Sequence, residues 1–253
     1  IFRHVKQLTR HISVSVVHPL MQENGWSFDR DAHATGDHLL GKNYLHEVYT
    51  YGHPKASGRV TVPVLWDKYS QKIVSNESSE IIRMFNSAFN ELTGNYDDYW
   101  PIAQRHDIEH VNQAIYDNIN NGVYKAGFAT SPAAYEDAVA ALFAALDRME
   151  VRLRWQRYLL GAQITEADWR FFPTLVRFDP VYVGHFKCNL RRIADYPALS
   201  GYLRDLYQMP GIAKTVVMDH IKKHYYQSHP TINPTGIVPT GPLLDYSAPH
   251  GRE

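Results

Sequence analysis

The chain of 253 residues contains a single cysteine, Cys188, and this scarcity excludes both an intrachain disulfide framework and any metal centre built from several thiolates. Net charge is absent too. The 26 Lys and Arg residues balance 26 Asp and Glu, so no overall field draws the chain to nucleic acid or to an anionic membrane. No apolar run approaches the roughly 20 residues that cross a bilayer, and no charged-then-apolar leader is read at the start. Together these absences predict a cytoplasmic protein without nucleic-acid or membrane partners. What is present, 44% apolar and 21% charged residues, is ordinary for a folded protein. The length suits about one or two domains of roughly 100–200 residues, and two is the reading adopted.

Residues 1–8 (Ile-Phe-Arg-His-Val-Lys-Gln-Leu) have amphipathic spacing with no capping residue in front, which predicts a helix already under way at Ile1. The β-branched run 12–17 predicts a buried strand closed by His18-Pro19. Residues 21–58 are polar and too long for a bare loop, so short elements or ligand contacts are expected there. A strand over 60–66, interrupted by Pro63, and a second over Lys72–Ser75 form a hairpin, and residues 76–80 lead into a helix over 81–86.

Beyond an aromatic stretch at 95–101 every long segment has helical period. Ile108, Val111, Ile115 and Ile119 recur at three- and four-residue steps, and Ser131-Pro132 opens another helix. Thr165-Glu166-Ala167-Asp168 spells a capping box, with Ile164 as a hydrophobic staple. Two more helices are expected over Pro197–Gln208 and 212–226, then a Pro- and Gly-bearing tail. The predicted organisation is an α/β domain over 1–95, an all-α domain over 96–229 and a tail over 230–253.

Two features point to a pocket for a peptide-like ligand. If the Val62–Pro63 bond is cis, the N–H and C=O of Val62 face outward and can pair with an extended peptide. A helix beginning near Glu77-Ser78 offers free N–H groups and a positive dipole end for a carboxylate, while Glu77 can accept from an ammonium. Taken alone, an edge-strand proline beside an ordinary cap explains the same residues.

The combination of Val62-Pro63, Glu77-Ser78 and the Thr-x-x-Asp box resembles the glutathione-transferase family. Longer segments resemble one class within it, the glutathionyl-hydroquinone reductases or Xi-class glutathione transferases. They are Asn24-Gly25-Trp26, residues 57–68 (Ser-Gly-Arg-Val-Thr-Val-Pro-Val-Leu-Trp-Asp-Lys), 73–78, 121–129, 174–182, 207–212 and 232–236. The resemblance spans nearly the whole chain. It implies a truncated thioredoxin-like N-terminal domain, its first strand lying before Ile1, an all-helical glutathione-transferase C-terminal domain, and a homodimer.

The same resemblance implies glutathione as co-substrate, no metal, and a glutathione site at Trp26, Arg59, the Val62 backbone, Glu77 and Ser78. Arg59 would pair with a glutathione carboxylate and Trp26 would pack on the tripeptide. It implies Tyr124 and Tyr225 as the catalytic tyrosines that hydrogen-bond the quinol oxygens, with Tyr226 the rival of Tyr225. The family nucleophile is the cysteine of a cysteine-proline-tryptophan-alanine motif that these residues lack, and it is expected upstream of Ile1. Cys188, far along the helical domain, is expected to be a buried thiol rather than a substitute.

The implied activity is reduction of glutathionyl-hydroquinones to hydroquinones with release of oxidised glutathione, the 253 residues alone being inactive. Two alternatives stay open: a non-catalytic glutathione- or quinone-binding fragment, and a transferase that conjugates glutathione to electrophiles. His220 and His224 stand four apart on a predicted helix without a zincin glutamate, so satisfied histidines are expected rather than ligands. The 17 tyrosines have no basic groove beside them, which favours an aromatic-lined acceptor pocket over base stacking.

Overall fold

Sheet is confined, among residues 1–252 described by this computed structural model, to two short antiparallel pairs. They are β1 (Met21–Gln22) with β2 (Gly25–Trp26), and β3 (Leu65–Asp67) with β4 (Lys72–Ser75). The chain divides into two units: Phe2–Asp97 with Val217–His224, and Asp98–Val216 with Tyr225 onward and Ile1. The class expected, α/β followed by all-α, is the one observed.

In the first unit the helix expected over 1–8 is shorter. It runs as α1 (Phe2–Val5), is stopped by Gln7 in the left-handed region at φ 56°, and resumes as a single 3-10 turn at Leu8–Arg10. Lys6 is buried, its ammonium donating to the carbonyls of Asn95 at 3.1 Å and Asp97 at 2.6 Å. The strand expected over 12–17 does not form. Val16 exchanges bonds with Thr35 and the His18 N–H donates to Ser27, but no ladder runs along the segment, and β-branched residues make a strand only beside a partner. The strand expected over 60–66 shrinks to Leu65–Asp67, because Pro63 has no N–H to give and Val62 joins no ladder.

The long stretch 21–58 does hold short structure: β1, β2 and α2 (Leu45–Gly52), whose Glu47 carboxylate accepts from the N–H groups of Asn43 and Tyr44. The helix expected over 81–86 extends both ways as α3 (Ser78–Ser87), burying Ile81 and Phe85. A one-turn α4 (Asn90–Thr93) ends on Gly94 at φ 67°, a conformation glycine reaches without strain.

Among the described residues, the named elements of the second unit are all helical. Ile108, Val111 and Ile115 of α5 (Arg105–Ile115), and Ile119 of the π turn that follows, are all buried, as their spacing requires. After α6 (Gly122–Gly127), α7 (Pro132–Trp155) begins on Ser131, whose hydroxyl accepts from the Ala134 N–H at 3.3 Å. The box at Thr165 forms at the start of α8 (Glu166–Arg177), and α9 (Pro197–Gln208) has the predicted limits. The last helix departs from its expected span. Residues 213–215 make a 3-10 turn, Val216 is extended, and α10 (Met218–Ser228) starts only beyond the β-branched run Thr215-Val216-Val217. The tail is docked. Arg252 donates to the carbonyls of Gln156, Arg157 and Ala198. Among the described residues no helix is long and apolar enough to cross a membrane.

Candidate functional site

In the first unit the peptide between Val62 and Pro63 is cis. Val62 is 44% exposed, and neither its N–H nor its C=O has a partner among the described residues, so both can pair with an extended ligand. A short distance along the chain Glu77 is the N-cap of α3. Its carboxylate accepts from the backbone N–H of Ser79 at 3.4 Å and the hydroxyl of Ser79 at 3.3 Å, and Ser78 is the exposed first residue of the helix.

Tyr49 of α2 joins these two places. Its phenol donates to the Thr61 carbonyl at 2.8 Å, receives the Thr61 N–H at 3.4 Å, and receives the Asn76 side-chain amide at 3.1 Å. One hydroxyl thus holds the residue before Val62 and the residue before Glu77. Sequence reasoning missed Tyr49, which lies 12 and 27 residues from its partners and has no local signature. Trp26 closes β2 and stacks on His224 with ring centroids 4.8 Å apart, leaving one indole face uncovered by that contact. Arg59 is exposed in the loop before Val62 and its guanidinium has no partner among the described residues. No hydrogen bond or ring contact joins Trp26 or Arg59 to Val62 or Glu77.

His220 and His224 are both engaged within this unit. His220 Nε2 lies 3.0 Å from an Asp31 oxygen, and His224 Nδ1 lies 2.9 Å from the Pro19 carbonyl oxygen. Among the described residues no three His, Cys, Asp or Glu side chains are grouped to hold a metal ion.

The second unit brings Tyr124 and Tyr225 together across 101 residues, their hydroxyl oxygens 2.5 Å apart. Tyr124 of α6 is 37% exposed, while Tyr225 of α10 is 5% exposed. A third phenol, Tyr182, is bonded to Tyr225 at 3.0 Å. It ends the π turn Phe178–Tyr182, which is held by the buried Asp179 carboxylate accepting from the N–H groups of Ile193 and Ala194. Burial pushes Tyr182 and Tyr225 well above the usual phenol range, so both are neutral donors. Around them stand Phe128, Phe186, His185 and His229, the last two bonded to each other at 3.0 Å. Tyr226, the rival of Tyr225, has its hydroxyl near the Pro180 carbonyl at 3.4 Å instead. Tyr182 was not singled out from the sequence, where it lies 43 positions from Tyr225 and no spacing rule applies.

Cys188 is fully buried, and burial pushes its thiol up to about 12. At pH 8 about one such thiol in ten thousand is ionised, against about one in ten at the ordinary 9.0. Iodoacetamide is therefore expected to label native Cys188 about a thousandfold more slowly than the urea-unfolded chain, measured by intact mass. Comparable rates would show that the thiol is accessible and activated.

Residues 132–205 match the family described as glutathione S-transferase, C-terminal domain. The chain is 59% identical over 254 residues to glutathionyl-hydroquinone reductase YqjG of Escherichia coli (strain K12), covering 100% of this chain and 77% of that protein. It is 51% identical over 242 residues to glutathionyl-hydroquinone reductase PcpF of Sphingobium chlorophenolicum, covering 96% and 77%. The solved glutathione-bound structure of YqjG, a glutathione transferase homolog from Escherichia coli K-12, matches with TM-score 0.98 at 59% identity, covering 99% of this chain and 82% of that one. The glutathione-S-transferase Xi of Phanerochaete chrysosporium matches with TM-score 0.93 at 51% identity, covering 96% and 84%.

Proposed function

Because the chain belongs to the Xi-class glutathione transferases, the glutathionyl-hydroquinone reductases, we propose that it reduces glutathionyl-hydroquinones at the expense of glutathione. Its fold is theirs, a small β/α region followed by an all-helical glutathione-transferase domain. The observation that carries the reading is the 59% identity, over the whole chain, to a protein bearing that name. The two sites agree with it. The β/α unit supplies an open backbone edge at Val62, a helix start at Glu77 and Ser78, and an unpaired cation at Arg59 for a tripeptide with two carboxylates. Trp26 offers an indole face. The helical unit supplies the bonded phenols Tyr124 and Tyr225, with Tyr124 as the exposed member, for the oxygens of a hydroquinone.

In the proposed reaction a thiolate attacks the sulfur of the glutathionyl-hydroquinone. A sulfur–sulfur bond forms and the carbon–sulfur bond breaks, its electron pair staying on the ring carbon, which takes up a proton. The ring is reduced and the two sulfurs are oxidised. The thiolate of a second glutathione then attacks the mixed disulfide, yielding oxidised glutathione and regenerating the first thiolate. Cys188 is fully buried and burial raises its thiol pKa, so it does not serve as that thiolate.

The test is to give the protein, as its gene encodes it, a glutathionyl-hydroquinone and glutathione, and to separate products by chromatography. Hydroquinone and oxidised glutathione are expected in equal amounts. Withholding the second glutathione should trap a glutathionylated protein whose modified peptide is not the one containing Cys188. Modification at Cys188 would overturn its exclusion as the nucleophile. Formation of new thioethers from electrophiles, with no hydroquinone release, would identify a conjugating transferase instead.

A further inference from the structure

The three phenols of the helical unit form one chain, Tyr182 to Tyr225 at 3.0 Å and Tyr225 to Tyr124 at 2.5 Å. Its direction follows from burial. Tyr182 is 2% exposed, and the Tyr225 oxygen is the one partner its hydroxyl has among the described residues. Leaving a buried O–H without an acceptor costs about 1–3 kcal/mol, so Tyr182 donates to Tyr225. Burial keeps both of these phenols protonated, and the Tyr225 proton then goes to the Tyr124 oxygen. Three protons serve two internal bonds. The third belongs to Tyr124, which is 37% exposed and whose hydroxyl has no other partner among the described residues. The outer end of the chain is therefore a donor, and donors in series strengthen one another by roughly 10–30% per bond.

From this polarity we infer that Tyr182 is a positioning residue which, acting through Tyr225, commits Tyr124 to donate and so makes the aromatic site select the ionised form of a phenolic ligand. The inference rests on the reading of Tyr124 and Tyr225 as the hydroquinone site and adds the ionisation state in which the ligand is held. A phenolate accepts a charge-assisted bond about twice as strong as one to a neutral phenol, whose own proton gains nothing from a donor. The other titratable or charged groups around Tyr225 do not oppose this. Arg177 of α8 is the cation whose field acts on both Tyr182 and Tyr225, and it favours negative charge there. His185 and His229 pack on the Tyr225 ring with centroids 6.4 and 5.8 Å away, and are bonded to each other.

The probes are 4-nitrophenol, whose phenolate is coloured, and 4-nitroanisole, the methyl ether that cannot ionise. With the intact wild-type protein, bound 4-nitrophenol should titrate at lower pH than free 4-nitrophenol, so colour develops on binding one pH unit below its free pKa. Tyr182→Phe keeps the ring and removes the donor. It should weaken phenolate binding about 3- to 10-fold, the scale of one hydrogen bond, and leave 4-nitroanisole affinity unchanged. Equal weakening of both probes would reduce Tyr182 to packing and overturn the inference, as would phenolate binding untouched by the substitution. If Tyr182→Phe fails to fold by circular dichroism, the wild-type titration decides, and an unshifted pKa of the bound phenol overturns the inference alone. Failure of the wild-type protein to bind either probe overturns the hydroquinone-site reading and the inference with it.

Discussion

Tyr225→Phe is expected to lower turnover of a glutathionyl-hydroquinone about a hundredfold while leaving glutathione affinity within about twofold. The hydroxyl removed is the middle of the three-phenol chain, so one oxygen takes two bonds with it. Tyr182 is left with a buried proton and no acceptor, and Tyr124 loses the neighbour that fixed which way its own proton is presented. The ring survives the substitution. Its edge contacts to Tyr182, at 5.5 Å, and Phe186, at 5.7 Å, are those of a phenylalanine, so the loss is electrostatic rather than a cavity. The candidate glutathione residues, Trp26, Arg59, Val62, Glu77 and Ser78, lie in the other unit, which is why binding of the tripeptide should stay within that twofold range. Tyr226→Phe is the matched control. That hydroxyl is aligned with the Pro180 carbonyl at 3.4 Å, a weak bond away from the chain, and its removal should change turnover by no more than about twofold. Steady-state kinetics with calorimetry of glutathione binding separates the two. A larger effect at Tyr226, or glutathione affinity falling in parallel with turnover at Tyr225, would move the reacting oxygens elsewhere.

What could be read from the sequence and what could not divides by the range of the interaction. The Thr165–Asp168 box, the Ser131 cap before Pro132 and the limits of α9 are set by residues within one turn of each other, and they formed as their spacing predicts. The apolar repeat from Ile108 to Ile119 likewise marks a buried face, because 3.6-residue periodicity is local. The strand expected over 12–17 failed for the opposite reason. Its composition suits a sheet, yet a strand exists only through a distant partner's backbone, and Val16 meets Thr35 alone. The final helix failed on a local conflict, helical spacing from Ile212 against three β-branched residues at 215–217, and the branching prevailed.

The sites follow the same division. Family resemblance named Tyr124 and Tyr225, whose adjacency no spacing reveals. It did not distinguish Tyr182, which differs from the other tyrosines of the chain only in what it touches. Nor did it distinguish Tyr49, one of many phenols until its bonds to Thr61 and Asn76 are seen.

The largest effect on stability is expected at Asp168, the residue that closes the capping box. Its side chain is fully buried and satisfies four donors: Oδ1 accepts the Leu159 N–H at 2.9 Å and the Tyr202 hydroxyl at 2.7 Å, and Oδ2 accepts the Thr165 N–H at 2.8 Å and hydroxyl at 3.2 Å. Asp168→Ala strands all four in the helical core. Each stranded donor costs about 1–3 kcal/mol, but they share one cavity that water can enter, so the total is expected near 3–5 kcal/mol rather than their sum. Against a domain stability of roughly 5–15 kcal/mol, that removes much of the margin. In urea it should appear as a lower midpoint at unchanged slope. Asp168→Asn keeps one acceptor oxygen and should fall between Ala and wild type.

Charge gives a second, independent signature. Burial raises the Asp168 carboxyl despite its donors, so the folded protein holds that proton more tightly than the unfolded chain does. The stability this shift contributes is complete below the unfolded value near ~4 and is lost as pH rises to the folded value. Asn has no such dependence, so the advantage of wild type over Asp168→Asn should narrow as pH rises through that window. A gap that widened instead would mean that the four donors outweigh burial and hold the group as a carboxylate.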